Sequence, residues 1–147
     1  ITKDGARMLM VQANVTVPKL TLFVNASQGA GNYAMAGRAW KPRFLFGWPN
    51  SRSAIMGPEQ AVTTLTEVRV ANIRREQGRE ATPEEIAAIT ANVAEYFDRT
   101  SGPYHLTSEL RDDGLLDPID TRNTLGIALA ATLGTPVVRA PGGVLRI

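Results

Sequence analysis

The sequence predicts an α/β fold with few strands for its length. Three observations lead there. A short apolar run rich in β-formers, "KLTLFVN" at Lys19 to Asn25, follows Pro18 and reads as a buried strand. The segment Arg43 to Trp48 and the segment Ser53 to Met56 read as two more strands joined through "GWPNSR". Around them lie stretches of helical periodicity with clear stops, above all the one opened by Thr82-Pro-Glu-Glu85.

Taken in order, Thr2 can cap a helix through Ala6, Met8, Leu9 and Val11. The first strand is followed by the glycine-rich stretch "QGAGNYAM". A helix is expected to start near Asn32 and to end before Pro42. After the strand pair, Gly57-Pro58-Glu59 turns into a helix with proline at its first position and an acid in its first turn, running to about Gln77 and ending at Gly78. Thr82 and Glu85 have the spacing of a capping box, and Ile86, Ile89, Val93 and Phe97 follow on one face. Ser101-Gly102-Pro103 breaks that helix. A short helix through Leu106 and Leu110 is expected to end at Asp113-Gly114, with Leu115-Leu116 extended. Asp117-Pro118 opens a last helix carrying Leu125, Leu129 and Leu133 and stopping at Gly134; the tail from Thr135 to Ile147 is expected to drape over a surface.

The chain has 147 residues, enough for one domain with a core, and no cysteine, so neither disulfides nor thiolate chemistry are available. No apolar run approaches a membrane span, and no signal-peptide pattern is visible. An intracellular setting is expected. Because the chain opens on Ile1-Thr-Lys-Asp, a piece of a longer or processed polypeptide is expected. The net charge is +2, but between Gly5 and Pro58 there is no acid, while Arg7, Lys19, Arg38, Lys41, Arg43 and Arg52 fall there. This is either a surface neutralised by the second half or the positive setting of an anionic ligand. Nucleic acid is a poor partner, because the cations are scattered and not interleaved with stacking aromatics.

Gly29, Gly31 and Ala34 have the spacing G-x-G-x-x-A of a dinucleotide loop. That reading needs a strand ending at the first glycine and an acid about twenty residues on. Here "NASQ" separates the apolar strand from Gly29, and no acid appears before Glu59. A second reading is a tight turn whose glycines admit close packing. A third is an oxyanion hole, in which glycines expose consecutive backbone N–H groups at the positive end of a helix. The third fits a chain with little side-chain chemistry. His105 is the single histidine and reads as a helix-surface residue, since one histidine makes neither a metal site nor a triad. Asp112 and Asp113 are adjacent and read as a helix end rather than a carboxylate dyad. Trp40 and Trp48 read as packing residues, with pocket walls as the alternative.

The stretches "ITKDGARMLM", "NVTVPKLTL", "GAGNYAM", "GRAW-PRFLF-WPN", "IMG-EQA" and "DDGLLDP-DTR" occur here in one order. Together they resemble the C-terminal part of the carboxyltransferase (β) subunit of biotin-dependent acyl-CoA carboxylases, methylcrotonyl-CoA type. The resemblance runs from Ile1 to about Leu133, and "GGVLRI" looks like a family C-terminus. It implies a crotonase-like spiral of short strands and helices. It implies that residues 1–147 are the C-terminal part of the biotin-binding domain, the acyl-CoA domain lying in a missing N-terminal part. It also implies an active site shared between subunits of a hexamer. The implied cofactor is biotin, carboxylated and carried by a biotin carboxyl carrier that works with a biotin carboxylase (α) subunit; no metal is implied in this part.

Matched residue by residue, the amides of Gly31 and Asn32 are implied to hold the ureido oxygen as carboxybiotin gives up its carboxyl group. Gly29 and Ala30 shape the approach, and Tyr33 belongs to the same biotin-binding loop. The resemblance places the protein in a bacterial cytoplasm or, alternatively, a mitochondrial matrix. The chain departs from the family at Asn25-Ala26-Ser27-Gln28 and at Pro58, with Gln28 expected to alter pocket shape and Pro58 to stiffen a turn. The helix from Thr82 to Phe97 is a candidate subunit contact. Two other classes remain: a non-catalytic assembly module, and a crotonase-like hydratase or isomerase. The latter needs an acid near the loop, against which the acid-free stretch argues.

Overall fold

Two segments of the chain run side by side twice. In the computed structural model, which describes residues 2–134 and 136–137 and not the side chain of Thr2, strand β1 (Leu20–Phe23) pairs in parallel with β3 (Phe44–Gly47). Strand β2 (Ala26–Gln28) pairs in parallel with β4 (Arg52–Ala54). The break between the two sheets falls at Val24-Asn25 on one segment and Trp48 to Ser51 on the other. It is bridged by the Trp48 N–H donating to the Phe23 carbonyl at 2.9 Å and the Arg52 N–H to the Asn25 carbonyl at 3.3 Å. The expected strand pair around "GWPNSR" is therefore no hairpin: β3 and β4 belong to different sheets. Parallel pairing demands a long crossover, and the chain from Gly29 to Arg43 supplies it.

The remaining elements are α1 (Thr2–Asn14), α2 (Ala30–Ala34), a 3₁₀ turn at Arg38–Trp40, α3 (Pro58–Gln77), α4 (Pro83–Ser101), α5 (Pro103–Ser108), a 3₁₀ turn at Pro118–Asp120 and α6 (Thr121–Leu133). Leu45 on β3 is wholly buried, and Ala36, Phe46, Ala61, Val93, Leu106 and Ala128 complete the described core. An extended piece after α5 adds to the free edge of β3. Asp113 N–H donates to the Leu45 carbonyl at 2.7 Å and Leu116 N–H to the Gly47 carbonyl at 2.8 Å. Leu115-Leu116 is thus extended, as the sequence predicts.

The long helices follow their local signals. In α3, Gly57 and Pro58 occupy the start, and Gly78 ends it with φ 66° and its N–H on the Arg74 carbonyl at 3.1 Å. In α4 the capping box is complete: Thr82 Oγ1 accepts from Glu85 N–H at 3.2 Å, and Glu85 accepts from Thr82 N–H at 2.9 Å. Glu85 also pairs with Arg79 through both carboxylate oxygens at 2.7 Å. The Arg79 guanidinium, with the Thr82 N–H, holds the Glu85 carboxyl down at about 2. α3 and α4 pack against each other.

Four expectations need correcting here. α5 stops at Ser108 rather than at Asp113-Gly114. Leu110 takes a left-handed conformation (φ 55°), while the Arg111 N–H reaches the Leu106 carbonyl at 2.9 Å, so a non-glycine residue closes the helix and stands 78% exposed. Asp112 and Asp113 sit in the turn beyond, not on a helix end. The predicted helix between Asn32 and Pro42 is a single turn, because Ala36 (φ 57°) and Lys41 (φ 48°) leave helical space. Asp117 caps the 3₁₀ turn rather than α6 itself, accepting from Ile119 N–H at 3.0 Å. The Thr2 cap and, apart from Pro136 and Val137, the tail from Thr135 lie outside the described residues.

Candidate active site

Gly29 stands directly at the end of β2, and α2 begins one residue later. "NASQ" is therefore mostly strand, and the spacing argument against a dinucleotide loop loses its first support; the missing acid remains. Ala26-Ser27-Gln28 carries no apolar run, so its strand character comes from its partner β4 and not from its own composition. Gly29 has φ 61° and ψ −149°, a region essentially closed to other residues. Its N–H donates to the Ala54 carbonyl at 3.1 Å.

From that corner the next amides emerge. Among the described residues, neither the Ala30 nor the Gly31 N–H has a hydrogen-bond partner. The Asn32 N–H donates to the Gly29 carbonyl at 3.2 Å, a long bond. Gly31 is exposed, and a Cβ built on it would meet nothing within 4 Å. Its neighbours Ala30 and Asn32, with Gly29 and Tyr33, line a cleft of about 510 Å³. Tyr33 is half out of the protein and meets the Trp40 ring edge-on at 6.4 Å. The structure thus brings Gly29, Ala30, Asn32 and Tyr33 to one wall, with Gly31 between them. α2 has five residues, so few peptide dipoles align behind the loop; the exposed N–H groups, not a long helix, supply what positive potential there is.

The other wall could not be read from the sequence. Ile55, 86% exposed, and Arg38, Arg111 and Asp112 face the same cleft. Asp112 overturns the supposition that no acid comes near the loop. Its carboxylate is nevertheless committed: it is buried, accepts from Thr107 Oγ1 at 2.9 and 3.1 Å, and accepts from Gly114 N–H at 3.1 Å. Arg38 pairs with Asp113 at 3.1 Å and Arg52 with Asp98 at 2.6 Å, so part of the acid-free half is neutralised from the second half. Gln28 faces the neighbouring groove against α3 and α4, with Pro58 and Glu59. His105 lies half-buried on α5 beside another groove. Among the described residues no group of three or more His, Asp or Glu could hold a metal, and no helix is long and apolar enough to cross a membrane.

Residues 1–141 match the carboxyl transferase domain family. The chain belongs to that family. It is 45% identical over its whole length to the mitochondrial methylcrotonoyl-CoA carboxylase beta chain of Arabidopsis thaliana, of which it covers 25%. It is 42% identical over its whole length to the biotin-dependent 3-methylcrotonyl-coenzyme A carboxylase beta1 subunit of Mycobacterium tuberculosis, of which it covers 28%. The chain therefore spans about a quarter of the length of the relatives it matches. Among solved structures, 99% of it superposes on the geranyl-CoA carboxylase beta subunit of P. aeruginosa with a TM-score of 0.75 at 41% identity, covering 27% of that chain. The 12S transcarboxylase hexamer gives 0.76 at 27% identity, with 96% of this chain and 25% of that one covered. The crotonase-like carboxyltransferase fold inferred from the motifs is thus the fold of this chain.

Proposed function

We propose that this chain is the biotin-binding part of a carboxyltransferase β subunit, which moves a carboxyl group from carboxybiotin to an acyl-CoA of the methylcrotonyl class. The observation that carries the reading is the unpartnered Gly31 N–H, set between residues that line a cleft of about 510 Å³. The group fits the residues present. A ureido ring needs backbone donors and an open approach, and Gly31 offers both, with no side chain in the way.

When bound, carboxylated biotin supplies the carboxyl group and the nitrogen that accepts the substrate proton. The chain's own task is electrostatic. The Gly31 N–H would hold the ureido oxygen, and the Asn32 N–H, whose bond to the Gly29 carbonyl is long, would be the second donor. Gly29 and Ala30 would border the approach, and the exposed Tyr33 would help hold the ring system. The acyl-CoA lies mostly against the remainder of the subunit. The working assembly is a β-subunit hexamer served by a biotin carboxyl carrier and a biotin carboxylase subunit. The 12S transcarboxylase, named as a hexamer, supports that assembly; the reading places it in a bacterial cytoplasm or a mitochondrial matrix, the latter supported by the relative named as mitochondrial.

The test uses the full-length subunit with its carrier. Gly31→Pro removes the free N–H and is expected to lower carboxyl transfer at least about 100-fold while assembly persists. Gly31→Ala keeps the N–H, adds a methyl in open space, and is the control for assembly. Undiminished turnover in Gly31→Pro refutes the site. A wild-type subunit that assembles but transfers nothing makes the chain an assembly module.

A further inference from the structure

No residue of α2 is buried, and five residues are too few to hold a helix by themselves. Something else fixes the direction in which Gly31 presents its amide. The Asn32 side chain is half-buried and reaches down from α2 to the second sheet. Its Nδ2 donates to Ser27 Oγ on β2 at 2.8 Å and lies 3.5 Å from Ser53 Oγ on β4. Ser27 and Ser53 are register partners, so both hydroxyls stand on the same face of the sheet. The Asn32 main chain is tied as well. Its carbonyl accepts from Gly37 N–H at 2.7 Å, and its N–H is on Gly29. Gly37 is needed for this: a Cβ there would run into Asn32 Oδ1 and stand 2.7 Å from the Asn32 carbonyl oxygen.

We propose that the Asn32 carboxamide is a positioning residue, a clamp that holds the amide-bearing turn on the β2–β4 pair, with Ser27 as its main anchor, Ser53 as its second and Gly37 as the space that admits it. The proposal rests on the carboxyltransferase reading for its consequence in catalysis, but the clamp itself is a property of this chain. Apolar packing does not do this work, since no residue of α2 is buried. A short polar tie from beneath leaves Gly31 exposed and still fixes its orientation.

Two measurements on the full-length subunit decide it. In Asn32→Ala, kcat for carboxyl transfer falls between about 10- and 100-fold, because small displacements of an aligned donor are costly, while the KM for acyl-CoA is unchanged. Hydrogen exchange across residues 29–37 quickens about tenfold. Ser27→Ala gives a milder form of both effects, and Ser27→Thr, which keeps the hydroxyl, recovers kcat relative to Ser27→Ala. The double variant Ser27→Ala with Asn32→Ala is no worse than Asn32→Ala alone, as expected of one shared bond. Gly37→Ala gives a loss at least as large as Asn32→Ala, because the added methyl meets both the carboxamide and the main-chain carbonyl of Asn32. Unchanged kcat or unchanged exchange in Asn32→Ala, or additive losses in the double variant, overturns the clamp. If the wild-type subunit transfers no carboxyl group, the carboxyltransferase reading fails by itself, and the exchange comparison still decides whether Asn32 holds the loop.

Discussion

The helical pair α3–α4 and the loop from Gly29 to Gly37 are held by opposite means. In the pair, the end of α3 and the start of α4 are closed by residues a few positions away: Gly78 on Arg74, Thr82 on Glu85, Arg79 on Glu85. In the loop, local bonds such as Asn32 N–H to Gly29 and Asn32 to Ser27 are joined by ties that reach across the sequence. Gly29 is fastened to Ala54, Asn32 to Ser27 and Ser53, and Thr21 Oγ1 to the Ala36 carbonyl at 2.8 Å. The loop is shaped by its surroundings, whereas the helices are shaped by themselves.

Substitutions can break or sharpen that contrast. The largest effect is expected at Leu45, which is wholly buried on β3 beside β1. Leu45→Ala is expected to cost about 3 kcal/mol, read by urea or thermal unfolding of the full-length subunit, with activity lost through unfolding. Gly29→Ala comes next. Its φ of 61° with ψ of −149° lies in a region closed to alanine, and the added Cβ would stand 3.4 Å from the Ile55 carbonyl oxygen. A cost of about 2 kcal/mol is expected, together with a fall in kcat larger than that loss of stability explains. A fall in stability alone would make Gly29 a mere corner.

The helical pair should answer in stability only. Thr82→Ala removes a cap and is expected to cost about 1 kcal/mol, with kcat unchanged. Glu85→Ala gives the smallest effect, because the pair with Arg79 is exposed to solvent and salt. Its pH dependence is diagnostic. The carboxyl is held at about 2 against an ordinary value near 4.5, so its contribution is complete above about 4.5 and is lost as the pH falls towards 2. The melting difference between wild type and Glu85→Ala should therefore be constant near neutrality and narrow through that window.

What the sequence by itself determined are the features whose causes are local. Pro58, Gly78, the Thr82–Glu85 box and the Pro103 break place helix ends to within a residue or two, because capping and proline geometry act over one turn. Long motifs in fixed order determined the family. Only the tertiary structure decided that Ala26–Gln28 is a strand, that β3 and β4 lie in different sheets, and that Asp112 and Arg111 face the loop. A polar segment becomes a strand when a partner strand takes up its hydrogen bonds, and a distant carboxylate enters a cleft by the path of the fold. Neither cause leaves a mark in the spacing of neighbouring residues. The same holds for the Asn32 tie, which is written at Ser27, Ser53 and Gly37 but becomes visible only when β2 and β4 lie side by side.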